Sequence, residues 1–235
     1  MKNNVFHSNV NNNGGNNVNY NNDKYVGYTY DNSGTETDST IKGVIDTWYQ
    51  NNILTNYDSY LEDTIFCNDK STHAFAEFTS KEQSDFFLDS SWTLYSPMYR
   101  LAKKLGPSVA CQNQSDTYTK SNNIGNGKLT YPVGLLTIDE VWMAGEGIYG
   151  YKNEGIGYNN TTYYLRDNNY SWSLSPYVWT GSVTGMWLAP TDGGLDLSLV
   201  CERSVRPVVS LKPGQNFEYG NGTTSNPYRF VETVS

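Results

Sequence analysis

The sequence predicts an α+β domain. Three observations lead there. Apolar stripes at helical spacing lie early in the chain. Short strand-like segments, separated by Gly, Asn, Pro and Asp, follow Gly145. The stretch TDGG joins two of those segments as a hairpin turn would. Helices early and a strand meander late suit helices packed on an antiparallel sheet.

Residues 1–22 are rich in Asn and Gly and read as a flexible arm before a single domain over 23–235. Lys24–Tyr30 (KYVGYTY) alternates as a first strand, and DNSGTETDST reads as a turn-rich loop. A helix follows from about Ser39 to Asn51, capped by Asp38 or Ser39. Ile41, Val44, Ile45, Trp48 and Tyr49 form its apolar stripe. That face is expected to bury against the sheet formed after Gly145. NYDSYLED reads as a short helix, and TIFCND as a brief buried strand holding Cys67.

SPMYRLAKKLG predicts a helical turn ending at Gly106, with Arg100, Lys103 and Lys104 as a solvated basic face. Asn126-Gly127 marks a tight turn. Thr137 and Glu140 have capping-box spacing and open a second, shorter helix stopped by Gly145; Asp139 and Glu140 are explained by capping and the helix dipole. YNNTTYYLRD, YSWSLSPYVW, GMWLAPTD, LDLSLVCE and VRPVVSL are the late strand segments. Arg206-Pro207 interrupts the last of them, which favours an edge or a strand end because proline removes a ladder donor.

Composition narrows the function classes. The chain has 235 residues, 37% hydrophobic and 17% charged, with 20 Tyr and 6 Trp. An aromatic-rich, weakly charged, Asn/Thr-rich chain suits a β-rich extracellular protein. The net charge of −8 disfavours nucleic-acid binding, which needs clustered Lys and Arg. No run of 18 apolar residues exists, so no membrane insertion is expected of this chain. There is no apolar signal-peptide core at the start, and composition favours a mature or trimmed piece of a secreted protein over a cytoplasmic one. Cys67, Cys111 and Cys201 make no C-x-x-C pair, and His7 and His73 lie far from them, so no zinc site is expected. One disulfide with one buried thiol fits the count. Three thiols in a reducing compartment fit it equally.

Several stretches together carry a family resemblance: DSTIKGVIDTWYQNNILTNYDSYLEDTIFCND, LTYPVGLLTIDEVWMAG, SWSLSPY, and VRPVVSLKPG followed by GNGTTSNPYRF. Over roughly residues 24–231 the chain resembles an uncharacterised domain of bacterial surface and secreted proteins with a C-type-lectin-like fold. That family is distantly related to formylglycine-generating (sulfatase-modifying) enzymes and to retroelement variable proteins. The resemblance implies a secreted or cell-surface location and a final strand that closes the sheet. The Tyr228–Val231 segment would return beside the N-terminal region. It also implies that Cys67 pairs with Cys111, leaving Cys201 as a buried thiol.

The related enzymes use a cysteine pair late in the domain, with copper. Only Cys201 lies there, so that chemistry does not carry over. G-x-S-x-G and Walker motifs are absent, and GEGIYGYKNEGIG follows a helix rather than a strand and reads as a loop. No catalysis and no cofactor are expected. Asp192 and Asp196 flank a Gly-Gly turn and could offer oxygens to calcium, although turn chemistry alone accounts for Asp192. The expected function is a non-catalytic ligand-binding or adhesion module for a protein or glycan ligand. The alternatives are a stalk domain without a specific ligand, or a degenerate enzyme relative.

The expected binding face is the loops 146–170 and 176–184, where Tyr, Asn, Ser and Gly combine contact area with adaptable hydrogen bonding. Tyr177 and Trp179, flanked by Pro176 and Gly181, are the candidate exposed anchors, with Asn168, Asn169 and Tyr170 beside them. Trp142, Trp172 and Trp187 are read as core.

Overall fold

The computed structural model describes residues 29–32, 35–103, 105–144, 171–180, 184–189, 196–198, 204–221, 223 and 225–230. Its described elements run in order β1 (Thr29–Asn32), β2 (Thr35–Asp38), α1 (Thr40–Asn52), β3 (Leu61–Glu62), β4 (Phe66–Cys67), β5 (Thr72–His73), α2 (Ser80–Asp85), β6 (Thr93–Tyr95), α3 (Ser96–Ala102), β7 (Thr117–Tyr118), α4 (Ile138–Met143), β8 (Ser171–Trp179), β9 (Thr184–Ala189), β10 (Asp196–Ser198), β11 (Ser210–Leu211), β12 (Phe217–Tyr219) and β13 (Arg229–Phe230). The chain is therefore an α+β protein with antiparallel pairing between its strands.

The main sheet has the order β10-β9-β8-β6-β5, antiparallel throughout. Three of its strands are the expected late meander, and Asp196 opposite Leu188 is consistent with the hairpin read from TDGG. The other two, β5 and β6, come from a stretch with no clear periodicity. Each is two or three residues long, too short to show a period.

Both faces of this sheet are covered. Ile41, Ile45 and Tyr49 of α1 pack with Trp172, Leu174, Met186 and Leu188 on one face. Met98 and Leu101 of α3 and Ile138 and Val141 of α4 pack with Tyr177, Val178, Trp187 and Ala189 on the other. Helix α1 starts where its cap was expected: Lys42 N–H donates to Ser39 Oγ at 3.3 Å. Val44 and Trp48 lie at the margin of its buried stripe and are partly buried, Trp48 packing against the core.

Strand β8 is buried along its whole length. Pro176 sits inside it, and the register with β9 shifts on both sides of that residue. A proline has no N–H for the ladder, so the pairing slips around it. The slip also changes which residues face which layer. Trp172 and Leu174 face α1, whereas Tyr177 and Val178 belong to the opposite core.

Several local expectations need correction. The DNSGTETDST loop contains β2, which pairs with β1 from Thr29↔Asp38 to Asn32↔Thr35; residues 24–28 of the Lys24–Tyr30 strand expected from the sequence lie outside the described residues. NYDSYLED is a single 3-10 turn, Asp58–Tyr60, followed by β3. The closing segment does not join one sheet. Trp172 N–H donates to Ser204 O at 3.0 Å, Val208 exchanges backbone bonds with Gly134, and β11 pairs with β3. Pro207 falls between the two bridging residues, where no ladder donor is required. The last described segment, β13, pairs with β12 rather than with the N-terminal strands. Asn221, Thr223 and Asn226 make that a local turn, since Asn226 N–H donates to Thr223 O at 3.1 Å.

Candidate functional site

The proposed anchors Tyr177 and Trp179 are not surface residues. They are 2% and 3% exposed. Tyr177 Oη donates to the Phe86 carbonyl at 2.7 Å, and its ring meets Trp187 edge-on with centroids 4.9 Å apart. Burial pushes its hydroxyl pKa well above the ordinary tyrosine value. Pro176 marks a loop by its residue type alone, but here it lies inside β8. The Tyr-Val-Trp run after it is the continuous apolar stretch of a strand covered on both faces. Asn168, Asn169, Tyr170, Asp192 and Cys201 lie outside the described residues. Asp196 opens β10. No group of three or more His, Cys, Asp or Glu residues is arranged to hold a metal among the described residues.

The structure instead builds a site around Arg100. Pro97, in the first turn of α3, starts the helix with a fixed φ. Met98, Leu101 and Ala102 are buried, and Arg100 turns towards α4. Its Nε donates to Asp139 Oδ1 at 2.9 Å and its Nη2 to Asp139 Oδ2 at 2.8 Å, a two-point clamp. Its Nη1 donates to Asp69 Oδ2 at 2.8 Å. The Arg100 side chain is 12% exposed and those of Asp69 and Asp139 are 5% and 4%. The solvated basic face is thus a correction. Arg100 is a buried ion-pair centre, and Lys103 pairs with Glu82 at 2.8 Å. Lys104 lies outside the described residues. Burial works against the Arg100 charge, but the two carboxylates outweigh it, so the net shift is upward.

Asp139 is also more than a dipole residue. Thr137 and Glu140 form the capping box of α4 without it: Thr137 N–H donates to Glu140 Oε2 at 2.7 Å. Asp139 is left to point inward, where its Oδ1 also accepts the Ser108 N–H at 2.9 Å. That bond ties the segment 107–111 to α4. The far end of the segment is tied by the disulfide Cys67–Cys111, with S–S at 2.08 Å, which joins it to β4.

Between these ties lies a cavity of about 230 Å³. Asp69, Arg100 and Asp139 form its charged floor, the exposed Glu140 also lies in its lining, and Ile65, Val109 and the disulfide contribute apolar wall. Ile65 and Val109 are 49% and 72% exposed, whereas Asp69 and Asp139 are buried, so the cavity has an open apolar rim and a closed charged floor. A guanidinium has five N–H donors. Three are used here, and two have no partner among the described residues.

Sequence reasoning missed this site because its parts lie 31 and 39 positions apart. One signal was available. A capping box needs only the Glu at its third position, so the neighbouring Asp139 was free for another task.

No family model matches the sequence, and neither a curated protein nor a solved structure matches the chain. No helix among the described residues is long and apolar enough to cross a membrane.

Proposed function

We propose that this chain is a non-catalytic ligand-binding or adhesion module of a secreted or cell-surface bacterial protein, built on a C-type-lectin-like version of its α+β fold. The observation that carries the reading is the cavity over Arg100. Its floor is held by a two-point ion pair and its wall by a disulfide, so it needs little ordering when a ligand enters. Disulfides persist in oxidising compartments, which supports an extracellular location. Asp69 and Asp139 are both tied up in holding Arg100, an arrangement that suits recognition rather than proton transfer.

The sequence adds a second element. Residues 145–170 follow α4, which lines the cavity, and carry six tyrosines together with Asn168 and Asn169. Tyr and Asn are suited to contact surfaces. The C-type-lectin-like reading is supported by one longer helix on an antiparallel sheet whose central strands come late in the chain. The test is a glycan-array and surface-protein screen on the intact chain. A specific ligand is expected. Absence of any ligand in both arms would favour a stalk domain.

A further inference from the structure

We propose that the cavity over Arg100 receives the acetamido group of an N-acetylated sugar. This inference rests on the ligand-binding reading and names its chemistry. The floor holds one guanidinium and two carboxylates in close contact. A carboxylate ligand would enter beside Asp69 and Asp139. An ammonium ligand would enter beside Arg100. A carboxylate adds charge to a floor that is already net negative, and an ammonium has no acceptor to offer the open Arg100 N–H groups. A neutral secondary amide avoids both. Its carbonyl oxygen can accept one of the two remaining Arg100 N–H groups, and its N–H can donate to a carboxylate lone pair that Arg100 leaves open. Its methyl group matches the wall formed by the disulfide, Ile65 and Val109.

Size and shape decide between kinds of amide. At about 230 Å³ the cavity is smaller than the roughly 300–1,000 Å³ of sites that enclose a whole drug-sized ligand. It therefore holds a terminal group, with the rest of the ligand lying outside. A peptide-bond amide sits within a chain and needs an exit on both sides. The buried Asp69 and Asp139 close the far side here. A sugar acetamido group ends in its methyl and needs only one opening.

The experiment is an NMR titration of the intact, isotope-labelled chain. The probes are N-acetylglucosamine and N-acetylgalactosamine, their parent sugars glucose and galactose, glucosamine, and triglycine, whose internal amides carry no acetyl group, as a peptide-type amide. The acetamido sugars should move the backbone amides of Ala110 and Asp139 saturably, with an affinity on the order of 1 mM for a single monosaccharide. The parent sugars, glucosamine and the peptide-type amide should bind at least ~10-fold more weakly, the ratio set by losing one buried hydrogen-bonded group. Val109 is 72% exposed, so Val109→Trp should leave the melting temperature unchanged while its ring covers the opening and abolishes these shifts. Leu105→Trp, at a position 64% exposed and outside the cavity lining, should keep them.

Three results would overturn the proposal: equal response to sugars with and without the acetamido group, preference for the peptide-type amide, or unaltered binding in Val109→Trp. If the screen finds a ligand but acetamido sugars leave these amides unmoved, this inference fails and the ligand-binding reading stands. If no glycan or protein binds at all, both fail.

Discussion

At the scale of single residues, buried polar groups decide most. Arg100 is held by two carboxylates that are themselves buried, so its removal strands both. Arg100→Met should destabilise the fold by about 3–5 kcal/mol, because uncompensated buried charge is the dominant cost. A urea melt with a loss below about 1 kcal/mol would show that water reaches the site and screens it. Tyr177 and Tyr49 lead to a prediction about pH. Burial raises the pKa of both hydroxyls, and Asp58, which accepts the Tyr49 proton at 2.6 Å, raises that one further. A raised folded value means that the native state holds the proton more tightly than the unfolded chain. That stability is complete below the unfolded tyrosine value of about 10 and is lost as pH rises beyond it. The urea midpoint should therefore fall between pH 9 and pH 11.5, counted on a scale set by roughly that unfolded value. Tyr177→Phe should cost about 1 kcal/mol at neutral pH through the lost Phe86 hydrogen bond, and should flatten part of the alkaline decline. An alkaline slope identical to that of the unaltered chain would show that Tyr177 ionises freely.

At the scale of elements, two glycines make opposite predictions. Gly134 bridges Val208, and a Cβ added there would overlap the Phe66 ring of β4. Gly134→Ala should destabilise by about 1–3 kcal/mol, the usual effect of overpacking. Gly43 sits exposed in the first turn of α1 with nothing within 4 Å of an added Cβ. Gly43→Ala should stabilise by about 0.5–1 kcal/mol through helix propensity. Thermal melts of both variants check the pair, and a shared sign would contradict the packing described for one of them. The same elements show what sequence can carry. Helix α1 was legible because 13 residues contain several turns of one stripe and a serine cap. Helix α4 was legible from its capping box, and β8, β9 and β10 from their turn residues. Strands β3 to β7 were mostly not legible as parts of a sheet, because strands of two or three residues owe their pairing to distant partners. Tyr177 and Trp179 were misplaced for a related reason. The burial of Tyr177 depends on α3 and α4 covering a second sheet face, which local pattern does not report.

At the scale of the molecule, two cores share one sheet, and the disulfide ties a peripheral segment to that body. Cys67 belongs to β4, whose neighbour Phe66 packs in the α1 core. Cys111 ends the segment that Ser108 holds to α4, which packs in the other core. The bond therefore links elements of both cores across 44 positions of sequence. Its contribution acts chiefly through the unfolded chain, by removing the freedom of a loop of that length, and comes to about 4 kcal/mol on the loop-entropy estimate. Cys67→Ala with Cys111→Ala should lower the unfolding free energy by about that amount in urea. Native contacts at the site would still include the Ser108–Asp139 bond and the Arg100 clamp, so the folded double variant should keep the far-ultraviolet signature of the parent. A loss below about 1 kcal/mol would mean that the reduced, unfolded chain already keeps residues 67 and 111 close together. A loss of all cooperative unfolding would mean that the bond is required for the two cores to form at all. Only the intermediate result matches a disulfide that fixes one wall of a cavity on a sheet able to fold without it.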